Sequence, residues 1–324
     1  MALKIGRLGY LGLGIESTPG TAVAATTTIP FIANTIEGKH TVEKDISARA
    51  SRAQNYNSFI GKRWGEGEVT VNVDTLNFGF IAKLATGTEI VNTISAPNNT
   101  YDHLFYTTVS GNTPLTATLY NYQGIDVQQY PSMAVDKMTL EVKDSLMTAK
   151  TLFKGFYPSS GSYTAATVSG TLLDFNDYTI KLGSSLIVAA AASASPVTDF
   201  VLEINNNVEV IHESGSPNAT RVFYKQLQVT GSFTRFFEAT TDRDNYYNLN
   251  KQSLILTASG TGLPGGNVET LTINLAKLVY TDTAIDTGID GFYAIKTSFE
   301  AEVDVVQGKQ YDITFRNFRS SSYT

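Results

Sequence analysis

Apolar and polar residues alternate with a period of two along much of this chain, and the alternation returns in two similar halves. Trp64, Val69, Val71 and Val73 sit near that period, with Thr70 and Asn72 between them, which is the pattern of a half-buried strand. In residues 137–154, Met138, Leu140 and Val142, then Met147, Ala149, Thr151 and Phe153, alternate with polar neighbours. A turn at Asp144-Ser145 makes this a predicted hairpin. Strands are also predicted over 101–108 and 115–122 around a Gly111-Asn112 turn, and over 177–182 and 185–188 around Gly183. Three more are predicted over 270–280, 293–305 and 310–318, with 281–291 as an acidic loop. Residues 76–84 carry apolar side chains at helical spacing and predict one short helix. The Ala/Ser-rich 189–196 reads as a flexible turn region.

A long polar loop occurs twice in the same strand-loop-strand setting. The first copy has strands over 29–43 and 62–74, the latter with Gly67, around a loop over 45–61. The second has strands over 199–210 and 225–238, the latter with Gly231, around a loop over 211–224. A short helix-compatible segment follows each copy, over 75–87 and 239–260. The Ser/Gly/Thr-rich stretch 158–171 marks a boundary. The expected organisation is an irregular arm over 1–28, a first domain over 29–165 and a second over 166–324. Many short strands and few helices make the fold all-β, two tandem β-sandwich or barrel domains with a short helix in each.

With 324 residues, 42% of them hydrophobic, each half is long enough to bury its own core. Only 17% are charged and there is no cysteine, which excludes a disulfide framework and a thiolate metal site. Residues 1–165 balance 13 Lys/Arg against 13 Asp/Glu, so the net −6 arises in the second half. This is not the basic stripe of a nucleic-acid binder. The first residues lack the apolar core of a signal peptide, and no stretch approaches the ~20 apolar residues of a membrane span. Synthesis in the cytosol, with no membrane partner, is the expectation.

Candidate chemistry is sparse. Gly9, Gly12 and Gly14 resemble a dinucleotide loop, but Ser17 stands where a third glycine belongs and no strand-helix unit surrounds them. His40, His103 and His212 lack zinc-ligand spacing and read as surface or interface residues. Asp242-Arg243-Asp244 lacks the glycine and terminal glutamate of a calcium loop and reads as the charged first turn of a helix. No catalytic set stands out, so neither enzyme activity, metal nor cofactor is expected. The long loops carry the candidates. Asp45, Arg49, Arg52, Tyr56 and Phe59 lie in or beside the first, and Glu213, Arg221, Phe223 and Tyr224 in the second. Arginine and aromatic content of this kind belongs to protein interfaces. The plainer alternative is a loop folded back on its own sandwich.

Three phrases carry a resemblance. The run 14–23 (GIESTPGTAV) with Ile29, Pro30 and Phe31 resembles the opening of siphophage-type tail tube proteins. The run 200–207 (FVLEINNN) with 229–233 (VTGSF) resembles the second half of that family, and the strand pair over 132–156 fits as well. The resemblance implies tail-tube-type β-units that join edge to edge into rings, and rings that stack into a hollow tube for tape-measure protein and DNA. It also implies tail terminator and baseplate or tip proteins as partners. Since a two-unit chain fills six positions with three copies, a trimeric ring with pseudo-sixfold symmetry is expected, a hexamer being the alternative. The nine loop residues are then ring-stacking or subunit contacts. A neutral-to-acidic lumen would let DNA slide. Other readings are a surface β-sandwich adhesin, or a capsid or baseplate protein.

Overall fold

The structure is a computed structural model that describes residues 6–324 except 51, 109–110, 112, 144 and 287–290. The first half contributes β1 (Tyr10–Ile15), β2 (Thr27–Ile29), β3 (Ala33–Asn34), β4 (Glu37–Asp45) and β5 (Asn57–Asn72). Helix α1 (Phe78–Thr86) precedes β6 (Thr88–Ser95), β7 (Thr100–Tyr106), β8 (Ala117–Tyr122), β9 (Val127–Lys143), β10 (Thr148–Gly155) and β11 (Ser159–Ser160). The second half begins with β12 (Tyr178–Gly183), α2 (Leu186–Ala191), β13 (Val197–Asn205), β14 (Val208–Ile211), β15 (Arg221–Tyr224) and β16 (Gln228–Phe236). Helix α3 (Thr241–Tyr247) leads to β17 (Gln252–Gly262), β18 (Val268–Asp286), β19 (Ala294–Ala301) and β20 (Asp312–Asn317). The chain is all-β, as its alternation predicts.

Both halves repeat one order of antiparallel pairing. In the first it runs β1–β8–β9–β10–β5–β4. In the second it runs β12–β17–β18–β19–β16–β13. The register repeats too: Gly67 lies opposite Phe153, and Gly231 opposite Phe299. A β-carbon at Gly67 would overlap the Ile36 backbone, and one at Gly231 the Phe299 ring, so both sites need glycine for close approach. Both central strands bend at an irregularity, opposite Leu152/Phe153 in β9 and at Tyr280/Asp282 in β18.

Two seams join the halves. Strand β13 pairs with β9 as well as with β16, setting Leu202 opposite Leu140. Strand β20 lies between β18 and β7. One core results, in which Val71, Leu140 and Phe153 share a cluster with Phe200, Leu202, Phe299 and Phe315. Helix α1 buries Phe78, Phe80, Ile81 and Leu84 and stops at Gly87, whose left-handed φ of 83° brings its N–H 2.7 Å from the Lys83 carbonyl.

Several local expectations are corrected. Strands 101–108 and 115–122 exist but do not pair: β7 joins β6 and β20, while β8 joins β1 and β9. The nearer hairpin partner, β6, takes β7 first; of the expected turn, Asn112 lies outside the described residues. Asp144 does too, although the hairpin across it forms. Residues 185–188 do not make a strand, and 189–196 is not all turn. Ser185 Oγ accepts the Val188 N–H at 3.3 Å and starts α2, which suits an alanine-rich run. Residues 281–286 continue β18 and are not loop. Within the expected N-terminal arm, 10–15 pair with β2 and β8, and Gly12 and Gly14 admit Tyr163 and Ala24 where β-carbons would collide. That packing accounts for these glycines without a nucleotide.

Candidate assembly surfaces

The first long loop is shorter than expected because 57–61 continue β5. Strands β4 and β5 form a hairpin whose ladder runs from Glu37↔Glu66 to Asp45↔Asn57. Strand β10 covers β5 only over Gly65–Asn72, leaving the outer part of the hairpin as an arm. Residues Lys39–Asp45 of β4 lie beyond that cover and give the arm a length of roughly 20 Å. Val42, Ile46, Phe59 and Ile60 are exposed along it.

The tip is organised by charge. The Asp45 carboxylate accepts the Ser47 N–H at 3.0 Å, binds the Ser47 hydroxyl and pairs with Arg49. The serine contacts first, then Arg49, hold its pKa below the usual carboxylate range. The Arg49 guanidinium lies 4.8 Å over the Tyr56 ring, and Arg52 is exposed beside them. Four of the five first-loop candidates are therefore at the tip, and Phe59 is on the arm. Residues 37–63 hold six Lys/Arg against three Asp/Glu, in a chain of 24 against 30.

The second loop is the smaller hairpin β14–β15, in which Ile211 lies opposite Arg221. Glu213 and Arg221 pair at 3.0 Å on its exposed end. Phe223 is half-buried, and the Tyr224 hydroxyl turns inward to donate to the Leu84 carbonyl at 3.1 Å. The two loops meet at Arg63. Its N–H donates to Pro217 at 2.7 Å, its carbonyl accepts Ala219 N–H at 3.1 Å, and His212 Nε2 lies 3.0 Å from that carbonyl. The second loop thus braces the root of the arm.

Two buried clusters hold these elements. The Glu16 carboxylate accepts the Thr116 and Thr118 hydroxyls, each at 2.7 Å, the Ser132 N–H at 2.9 Å and the Gly20 N–H at 3.2 Å. It ties β1 to β8 and β9, a role for the glutamate of the 14–23 run that sequence alone does not reveal. At the other end, Glu89 faces His103 Nδ1 at 2.7 Å and Lys83 at 3.0 Å, binds the Ser322 hydroxyl and accepts the Tyr323 N–H at 3.0 Å. His103 is therefore a core residue and not a surface one, whereas His40 is exposed on β4. Asp242 and Asp244 stand in the first turn of α3, as expected; Asp242 pairs inward with Arg235, and the Asp244 side chain stays half-exposed.

Sequence reasoning missed an apolar patch. Phe236, Phe292 and Tyr293 are exposed, Phe292 at 85% and Tyr293 at 61%, beside the outer end of β18. Exposed aromatics in a cluster are the signal that marks it, and only the fold gathers them.

Among the described residues no His/Cys/Asp/Glu group could hold a metal ion, and no helix is long and apolar enough to cross a membrane. Comparison with curated proteins returned no match. A family model described as phage tail tube protein matches residues 6–302, so β20 and Tyr323 lie beyond it. The chain belongs to the phage tail tube protein family, as a non-enzymatic structural component of the virion tail.

Proposed function

We propose that three copies of this chain close a ring in which residues 29–165 and 166–324 occupy alternating positions of a pseudo-sixfold circle. Such rings stack into a hollow tube that holds the tape-measure protein during assembly and passes DNA at ejection. The observation that carries this reading is the repeated pairing order, β1–β8–β9–β10–β5–β4 and β12–β17–β18–β19–β16–β13. One chain already contains two neighbouring units of a ring and the contact between them.

The arm reaches the adjacent ring. Its tip residues Asp45, Arg49, Arg52 and Tyr56, with Phe59 on its flank, are the stacking contacts. Glu213, Arg221, Phe223 and Tyr224 hold its root and border the subunit interface. An arm with a surplus of Lys/Arg suits a body with the opposite surplus, since complementary charge steers association. The contact is head-to-tail and does not close, so it builds a filament. The lumen wall is neutral to acidic and does not hold phosphate. Tail terminator and baseplate or tip proteins cap the two ends.

Negative-stain imaging of the purified protein tests this reading. Hollow tubes of uniform width are expected. Discs or shells with no tubes would contradict it.

A further inference from the structure

We propose that β4 of one copy of this chain adds to the outer end of β18 of the next, in the register that β13 takes on β9 within a single chain. The inference rests on the ring proposed above and names the strands and residues that close it.

The repeat supplies the argument. In the first half, the end of β9 has β10 on one side and β13 on the other, from Lys137↔Asn205 to Lys143↔Asp199. In the second half, residues 282–285 of β18 pair with β19 on one side and with no described strand on the other. Glycine-phenylalanine pairs anchor the equivalence of the halves: Gly67–Phe153 matches Gly231–Phe299. Following the ladders outward from those anchors, Lys137 matches Asp282 and Leu140 matches Ile285. Likewise Leu202 matches Ile36, and Asn205 matches Lys39. Leu140, covered by β13, is 1% exposed, whereas Ile285 at the same register position is 38% exposed. Met147 is buried, whereas its counterpart Tyr293 is exposed. The second half lacks the cover that the first half receives.

Strand β4 is the counterpart of β13, and among the described residues it pairs only with β5. Transferring the inner register places Ile36 opposite Ile285 and Lys39 opposite Asp282. The first pair closes the core across the seam, as Leu202 and Leu140 do. The second sets opposite charges face to face; Glu37, which lies diagonal to Asp282, is already paired with Lys39. Thr35 donates its N–H to Glu68, so the backbone groups of Ile36, Gly38 and His40 point away from β5. In the lone chain side chains hold part of that edge. Asn34 Oδ1 accepts the Ile36 N–H at 2.9 Å, and the Ile36 carbonyl accepts Asn121 at 2.9 Å and Gln123 at 3.3 Å. Edges guarded this way stay soluble until the correct strand arrives.

The chain has no cysteine, so crosslinking reads the register without background. Lys39 and Asp282 form a pair without backbone bonds, where Cα atoms lie about 4.5 Å apart, within the ~4.4–6.8 Å range of disulfides. Under mild oxidation, assembled K39C/D282C is expected to yield covalent dimers and closed trimers, and assembled K39C/D286C none. Tubes of K39C/D282C without crosslinks, or tubes in which K39C/D286C crosslinks better, would overturn the proposal while leaving the ring intact. Should the cysteine variants not assemble, amide exchange of the unmodified protein decides. The Thr283 and Ile285 N–H groups slow by at least about tenfold on assembly if the strand adds there. Unchanged exchange at both in tubes refutes it, and failure of the unmodified chain to form tubes refutes the ring itself.

Discussion

Gly231 lies directly across the β16–β19 ladder from Phe299, whose ring occupies the space a β-carbon at Gly231 would need. The Val201 carbonyl closes the same space from the other side. Gly231→Ala therefore forces backbone or ring to move, at a cost of about 1–3 kcal/mol. Urea denaturation should show that loss with an unchanged slope. Gly87→Ala, with nothing near its β-carbon but a left-handed φ of 83°, should cost about 1 kcal/mol through backbone strain alone.

The Glu89 carboxylate is 1% exposed, and burial alone would raise its pKa. Hydrogen bonds from His103, Ser322 and Lys83 outweigh burial and hold it down at about 2, against an ordinary 4.5. A depressed folded value means that the charged form is favoured by folding. The resulting stability, on the order of 3 kcal/mol, is complete above about 4.5 and lost as pH falls toward about 2. Chemical denaturation between pH 6 and pH 2.5 (roughly the span of this titration) should show an acid loss that Glu89→Gln flattens. An equal acid loss in both proteins would assign the titration elsewhere.

Glu16 satisfies two buried hydroxyls and a buried N–H at once. Glu16→Ala leaves them without an acceptor and should lower stability by about 3 kcal/mol or more, at roughly 1–3 for each of the three groups left unpaired. Thermal unfolding checks this. A loss under about 1 kcal/mol would mean water replaces the carboxylate.

The β alternation, the duplication and the short helix at α1 are legible in the sequence because each rests on local periodicity or on a repeated glycine. The pairing of β7 with β20 is not legible, since it joins residues such as Phe105 and Ile313 that are far apart in sequence. Helix α2 is missed because Ala and Ser fit a loop as well as a capped turn. The loop candidates Asp45, Arg49 and Tyr56 do gather at one tip, because they lie within one short loop. Glu16 and the β18 edge stay hidden, since burial and an uncovered strand side are properties of the fold.

Among the described residues none of 46–56 belongs to the buried core, so removing the tip should not unfold the chain. Joining Asp45 to Asn57 through an Asn-Gly turn, in place of 46–56, suits a two-residue hairpin. The variant should unfold within about 1 kcal/mol of the parent, as exposed changes do, and should fail to form long tubes in negative stain. Long tubes from this variant would remove the stacking role of the tip.

The central claim is that one chain holds two positions of a six-position ring. Electron cryo-microscopy of the assembled tube, with mass per unit length measured alongside, counts the chains in each repeat. The account predicts three chains of 35.1 kDa per ring, with β13 on β9 alternating around the circle with its intermolecular counterpart. Six chains per ring would contradict it.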